Sequence, residues 1–566
     1  MAIQKTPTVE LIRQRYEKCY DFNRQIGLYE NVEVNENFFI GNQWEGVVAN
    51  GLPTPVFNFL KQVVLFQVAT ISSDNMKLQA TAMPCGGSLT ERELEKIALI
   101  VTKEFSAIME REKIASKCRE YLRDAAVDGD GCIHFYFDPT VKNGQSVTGE
   151  ICSEVLQNTR VHFGNPNSRN VQDQPYILIS RREIAEDVQY RAEQLRKEGL
   201  NKIDDPETIQ PDSEKFKNTF DSYTDDKVTV LTYYYKNRET GTIWCAEATE
   251  TAMIRDPYDT EYTLYPLVWL NWDYRHDCYH GQAMISGLIP NQKFINKIFA
   301  MAAVSMITQS FPKIIYDQTR IKNWSGGIGE AVGVNGNIAD VAKVMEGAPI
   351  NPQIAQFMEL CIQKTRTFLG ASDVAMGDSR PDNTSAIIAL QRAANTPMEL
   401  TKQNHYQCVE DMGRIFMDMM AAKYGVRKVE TEMELDEPGM QPLGMQLQGE
   451  TFLVDFDFSI LREVRFAIKQ DVGASSYWSE MATMQTMDNL LMNHLITPQQ
   501  YIERLPSGYI TGKQKLLDEL KASAGAAPAA PAGTGISPET ISSTEIPVEA
   551  NAGNGSLQRA LNREGV

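Results

Sequence analysis

"HDCYHGQAMISGLIPNQKFINKIFAMAAVSMITQS", residues 276–310, decides how this chain is read. His276 and His280 stand four residues apart, a spacing that on a helix would put both imidazoles on one face as metal ligation requires. Gly281 follows at once, however, and the preceding "YTLYPLVWLNW" reads as extended. The two rings then need not share a face, and no HExxH glutamate accompanies them. A polar loop at a strand-to-helix junction is the preferred reading. A metal-dependent hydrolase using His276, His280, Asp273 and Asp277 is the alternative. Downstream, Ile285, Leu288, Gln292, Ile295, Phe299, Ala302 and Met306 recur at helical intervals and predict a helix from 281 to about 310. Pro290 marks either a kink or the first residue of a new helix. Lys293 and Lys297 lie one turn apart, either as two solvated lysines or as a small basic step facing phosphate.

Outward from this stretch the chain mixes helices with small sheets. On the N-terminal side, residues 8–30 and 57–75 read as helices, separated by the Gly- and Pro-bearing "ENFFIGNQWEGVVANGLPTP". Ser88 and Glu91 have capping-box spacing before a helix running to about 126, which stops at "DGDG". "CIHFYFD" alternates, with Ile133, Phe135 and Phe137 on one face, and "PYILIS" leads into a second capping pair, Ser180 with Glu183, ahead of a helix ending near Gly199. "VTVLTYYYK" and "TIWCAEA" flank "NRETG" as a hairpin. On the C-terminal side a Gly-rich excursion over 311–351 precedes a helix at 352–369. A polar loop, "ASDVAMGDSRPDNT", then opens a long helix bent at Pro397 and ending near Gly425. "FLVDFDFSI" reads as a strand, 475–522 as helical, and the Ala-, Pro-, Gly- and Ser-rich 523–566 as disordered. The fold class expected is α+β, predominantly helical.

The 566 residues are 42% hydrophobic and 9% aromatic, enough to bury more than one core. A formal net charge of -19 argues against tight, sequence-independent capture of DNA, because neutralising phosphates needs clustered Lys and Arg. The nine cysteines contain no CxxC pair, so neither a zinc ribbon nor a disulfide framework is suggested, and a reducing cytosol fits. The charged first turns, "MAIQKTPTVELIRQRYEK", argue against a secretory signal. "IFAMAAVSMIT" is about half the length a membrane span needs.

The remaining look-alikes fail on their own chemistry. Asp124, Asp128 and Asp130 suggest calcium, yet taking Gly131 as the sixth loop position puts Ala126 first and Phe137 twelfth, where the EF-hand needs carboxylates. Asp455 and Asp457 share a strand face without a third ligand nearby. "GYITGKQ" is one residue short before its Gly-Lys and carries Gln514 where magnesium needs a hydroxyl. In "GGIGEAVG" Val332 replaces the third glycine of the dinucleotide fingerprint. No GxSxG elbow anchors serine chemistry. The chain is expected to be no enzyme and to need no cofactor and no metal.

The order of elements, together with three loose motifs, resembles the portal proteins of tailed bacteriophages. The motifs are "YHGQAMISGLIPNQKFIN" with Gly281, Gln292 and Asn296, "FFIGNQW" with Asn58 in "FNFL", and "NTSAIIAL" at 383–390. The resemblance covers roughly 8–520. It implies a wing over 1–280, a first stem helix at 281–310, a clip at 311–351, a second stem helix at 352–370 and a tunnel loop at 371–383. A long kinked helix returning to the wing would fill 384–474, with a helical crown at 475–522 before the tail. It further implies a homo-oligomeric ring of about twelve subunits, a closed heterologous assembly. That ring would sit at the capsid vertex of the virion after assembly in the host cytoplasm, with no membrane. Double-stranded DNA would pass through it, and its partners would be the terminase large subunit, major capsid and scaffolding proteins, and head-completion or tail adaptor proteins. Asp373, Asp378, Arg380 and Asp382 of the tunnel loop, with Lys293 and Lys297, are the residues expected to face the channel. Another virion structural protein remains an alternative.

Overall fold

The computed structural model describes residues 6–49, 51–73, 76–83, 90–203, 205–213, 226–310, 313–321, 337, 341–345, 353–368, 398–432 and 451–471, with short pieces between 487 and 502. Residues 1–480 form one compact unit and 481–566 a second. In the second, the Tyr501 hydroxyl donates to Asp488 Oδ1 at 2.6 Å.

The first unit opens with helices α1 (Val9–Gln25), α2 (Leu28–Ile40) and α3 (Phe59–Ile71), then strand β1 (Lys77–Met83). Thr8 and Asn58 cap α1 and α3 by accepting from Leu11 N and Lys61 N, which satisfies donors that a helix start leaves orphaned. Helices α4 (Glu91–Arg111) and α5 (Ile114–Asp128) lead into strands β2 (Asp130–Asp138), β3 (Glu150–Leu156), β4 (Val161–Phe163) and β5 (Tyr176–Ile184). Helix α6 (Ala185–Lys197) is followed by β6 (Lys227–Lys236), β7 (Ile243–Ala248), β8 (Met253–Tyr262) and β9 (Leu267–Asn271). Then come α7 (Ile289–Ser310), the strands β10 (Lys313–Tyr316) and β11 (Ala342–Met345), and α8 (Gln353–Phe368). Helix α9 (Glu399–Lys423) and strands β12 (Val426–Glu432), β13 (Thr451–Asp457) and β14 (Arg465–Asp471) complete the described elements.

The strands form an antiparallel five-stranded sheet ordered β4-β5-β6-β7-β8, a three-stranded sheet β3-β2-β9, and the two-stranded ribbons β1-β14, β10-β11 and β12-β13. Both faces of the N-terminal half of β2 are buried, so Cys132, Ile133 and Phe135 all reach the core. That core joins α3, α4, α5, the three-stranded sheet and α9, with Phe135 and Phe416 edge to face at 5.0 Å between ring centres. α9 thus brings the chain back, after the α7 to α8 excursion, into the same core that the N-terminal half builds.

The hairpin predicted around "NRETG" is present, with Leu231 to Lys236 opposite Ala248 to Ile243. Other expectations shift. The first helix ends at Gln25 and a second begins after Gly27, whose φ of +71° suits glycine, so the helical part of "ENFF" belongs to α2 rather than to a loop. The helix expected from 88 to 126 is two: Lys113, at φ +51°, breaks it, and α5 begins after it with Ile114, Cys118 and Leu122 buried. Its capping box is Thr90 with Glu93, two residues beyond the predicted pair. Ser180 caps nothing. It lies within β5, whose nine residues pair with β6 from Tyr176↔Tyr235 to Ile184↔Lys227, and a ladder of that length outcompetes a local side-chain cap. Strands β1, β12 and β14 had no counterpart in the sequence reading.

Candidate functional site: the root and shaft of helix α7

The stretch that opened the sequence reading folds as a junction between the strand β9 and helix α7. Residues 281–288 make turns, and the helix begins at Ile289 with Pro290 in its first turn, where a missing N–H costs nothing. The approach is crowded. A Cβ on Gly281 would stand 2.7 Å from the Asp273 carbonyl oxygen and 2.9 Å from that of Gly129, so only glycine fits.

His280 and Asp130 are both buried beneath this turn. His280 Nδ1 lies 2.7 Å from Asp130 Oδ2, and Nε2 lies 3.2 Å from Asn23 Oδ1 on α1. Asp130 Oδ1 accepts from Gly281 N and from Asn271 Nδ2, each at 2.7 Å. Asn23 Nδ2 faces His162 Nδ1 at 3.3 Å, and its Oδ1 also accepts from the Tyr279 hydroxyl. Five chain segments, α1, β2, β4, β9 and the Tyr279–Gly281 turn, are therefore tied by one polar network inside an apolar surround, where each bond is worth more than at the surface. Burial first, then the nearby His280 and Arg160, holds the His162 pKa down to about 3.

A second polar chain grips the first turns of α7. Gln292 Nε2 donates to the Phe57 carbonyl at 2.7 Å and to Asn296 Oδ1 at 2.9 Å. Asn296 Nδ2 donates to Gln43 Oε1 at 2.6 Å, and Gln43 Nε2 donates to the Phe38 carbonyl at 3.0 Å. Asn58 Nδ2 donates to the Phe39 carbonyl at 2.8 Å, and Phe57 stacks on Phe299 with ring centres 3.9 Å apart. The "FFIGNQW" and "NQKFIN" motifs, far apart in sequence, are thus the two halves of one clamp.

Gly281, Gln292 and Asn296 are brought together at this root, each with a structural reason for its identity. His276 and His280 are not brought together: His276 is exposed with its ring edge on Tyr274, while His280 is committed to Asp130. Asp273 and Asp277 are exposed. Among the described residues no group of three His, Cys, Asp or Glu side chains could hold a metal ion. Asp457 accepts from Ser459 N and caps a 3₁₀ turn over Phe458–Arg462. Lys293 and Lys297 are exposed on α7 and border a cleft of about 460 Å³ against Glu33, Asn37 and Trp44, with the Lys293 ammonium 5.3 Å from the Phe38 ring centre. Asp373, Asp378, Arg380 and Asp382 lie outside the described residues, as does the "NTSAIIAL" motif.

Beyond the clamp the helix changes character. Gln292 and Asn296 are 0% and 2% exposed, whereas Met301, Met306 and Ile307 are 63%, 55% and 52% exposed. On α8 beside it Phe357 and Leu360 are 50% and 47% exposed. The shaft therefore exposes large apolar side chains on more than one side of the helix. Sequence reasoning missed the anchors Asn23 and Asn271, which no local pattern marks, and picked out Asp130 only within a calcium look-alike. No described helix is long and apolar enough to cross a membrane.

Compared with known families, the chain is matched by the model of the phage P22-like portal protein over residues 13–505. Among curated proteins, none matches it.

Proposed function

This chain belongs to the phage P22-like portal protein family, and from that premise we propose that its copies close into a ring of about twelve subunits around a channel for double-stranded DNA. The chain is a structural protein of a tailed-phage virion, at the portal vertex of the capsid, acting in DNA packaging. The ring is supported by one observation above all, the exposure of Met301, Met306 and Ile307 on different sides of α7 and of Phe357 and Leu360 on α8. In a heterologous ring each subunit has neighbours on two sides that can cover such side chains, whereas a lone subunit leaves them wet.

In this reading residues 1–280 form the wing, 281–310 and 352–370 the stem, 311–351 the clip and 475–522 the crown. The tunnel-loop residues Asp373, Asp378, Arg380 and Asp382, with Lys293 and Lys297, face the DNA. Every Lys or Arg contact to phosphate adds affinity that moving DNA must break, so an acidic wall with few cations lets the duplex slide. The chain carries no intact nucleotide loop in its sequence, so ATP chemistry falls to the terminase large subunit docked on the clip. Head-completion or tail adaptor proteins take that face afterwards, while major capsid and scaffolding proteins surround the wing. Assembly takes place in the host cytoplasm.

Negative-stain imaging of the purified chain tests the ring. Perforated rings are the expected result. Monomers or open filaments at concentrations where these apolar side chains should be covered would overturn it.

A further inference from the structure

Strand β1 is paired on one edge only. Its residues run Lys77↔Asp471 to Met83↔Arg465 against β14, and among the described residues no strand pairs with its other edge. The direction of the unpaired groups can be read from two bonds. Ala80 N donates to Thr102 Oγ1 on α4 at 3.1 Å rather than to its opposite residue Ile468, and Gln470 N, opposite Leu78, points to Glu410 Oε1 at 3.4 Å. Leu78, Ala80 and Ala82 therefore direct their backbone groups away from β14, because alternate residues of an antiparallel pair face outward.

A two-stranded ribbon is a small cover for a long helix, and α4 extends beyond it. One face of α4, carrying Glu91, Glu95, Ala98, Leu99 and Thr102, runs beside the open edge of β1 and encloses a groove of about 320 Å³. Leu99 is exposed there. The ionisable side chains lining the groove are Glu91 and Glu95, both exposed, with no cation among them. Strand edge, apolar floor and acidic mouth together describe a strand-addition groove, in which backbone bonds give affinity and alternate side chains give selectivity.

We propose that this groove receives an extended segment of a partner protein in which basic and apolar residues alternate, added as a third strand beside β1. Its apolar side chains lie on Ala98 and Leu99, and its long basic side chains, leaving the opposite face of the strand, reach round its edge to Glu91 and Glu95 at the mouth. The Thr102 hydroxyl, which now occupies Ala80 N, is displaced by the incoming carbonyl. The groove is independent of the ring reading, since it uses neither α7 nor α8.

The test uses the full chain and a fluorescein-labelled Lys-Val-Lys-Val-Lys-Val peptide, read by anisotropy at low salt. Binding is expected, while a Glu-Val repeat and a proline-interrupted peptide of the same positive charge should fail. Ala82→Pro removes an outward N–H without touching the β1-β14 ladder, and should weaken binding by about tenfold or more, the loss of one good backbone contact. Glu91→Gln with Glu95→Gln should weaken it several-fold with a shallower salt dependence. Thr102→Val, which frees Ala80 N, should tighten it. Equal binding of the proline-interrupted peptide would reduce the attraction to the chain's net charge and overturn the proposal. So would absence of binding, or binding by unassembled subunits that vanishes in the ring, which would make the groove a subunit contact. Should Ala82→Pro fail to fold, the paired glutamine variant and Thr102→Val decide.

Discussion

The two ends of helix α7 obey different rules. At its root, polar side chains are buried and every described bond is spent inside the subunit: Gln292 on Phe57, Asn296 on Gln43, His280 on Asp130. Along its shaft, large apolar side chains are exposed. The root also buries Ile289, Ile295 and Ile298 and exposes Lys293 and Lys297, as soluble helices ordinarily do, so its distinguishing feature is the buried polar pair Gln292 and Asn296. The contrast teaches that the root's polar groups are satisfied within the subunit, while the shaft's apolar exposure fits the proposal that neighbouring subunits complete it.

The comparison breaks most visibly if the root is not in fact rigid. Asp130→Ala should be the costliest single change, because it removes the acceptor of Gly281 N, one of the two acceptors of Asn271 Nδ2 and the partner of the buried His280. Each buried hydrogen-bonding group left unsatisfied costs about 1–3 kcal/mol. Urea unfolding of the variant measures this, and a loss below about 1 kcal/mol, the worth of an ordinary hydrogen bond, would remove Asp130 from the centre of the network.

Acid should act at the same place. His162 has its pKa held down to about 3, below the ordinary value near 6.5. As pH falls, the unfolded chain takes up a proton first, so this contribution is complete above about 6.5 and is lost as pH drops toward 3, at up to about 1.4 kcal/mol per unit. His162→Phe should flatten that slope between pH 6.5 and 4. An unchanged slope would mean that the acid sensitivity belongs to other groups.

How much of this could be read beforehand depends on the range of the signal. The root helix, its proline, and the Gly281, Gln292 and Asn296 positions were visible because periodicity and motif are local. "FFIGNQW" was visible too, though not that Gln43 would bond Asn296, since 253 positions separate them. The break at Lys113 left no trace, because a lysine with positive φ is fixed by packing rather than by propensity. Strands β1 and β14 escaped because each is short and pairs with a segment almost four hundred residues away. Thr90 rather than Ser88 capping α4 is a smaller miss of the same kind, a correct device set two residues early.

A finer division of the root comes from the clamp. Asn296→Ala would leave Gln43 Oε1 and Gln292 Nε2 each short of a partner in a dry site. The expected loss is about 1–3 kcal/mol, less than at Asp130, whose carboxylate serves more partners. The melting transition should stay cooperative. A cost of zero would mean that water enters the clamp, and the root would then resemble the shaft more than the polar network implies.

The smallest effect on the subunit should be the largest on its assembly. Met301 and Ile307 are exposed on different sides of α7, so in the unassembled chain Met301→Ser and Ile307→Ser should each shift stability by no more than about 0.5 kcal/mol. In a ring the same positions become buried against a neighbour, where replacing a large apolar side chain by a hydroxyl costs both transfer energy and an unpaired polar group. Sedimentation of the double variant should therefore find folded subunits with the melting temperature of the parent and few or no rings. If rings form as readily as before, the exposed side chains are not a subunit contact and the shaft needs another explanation. If the isolated subunit itself is destabilised, they are covered by this chain, and the contrast between root and shaft disappears.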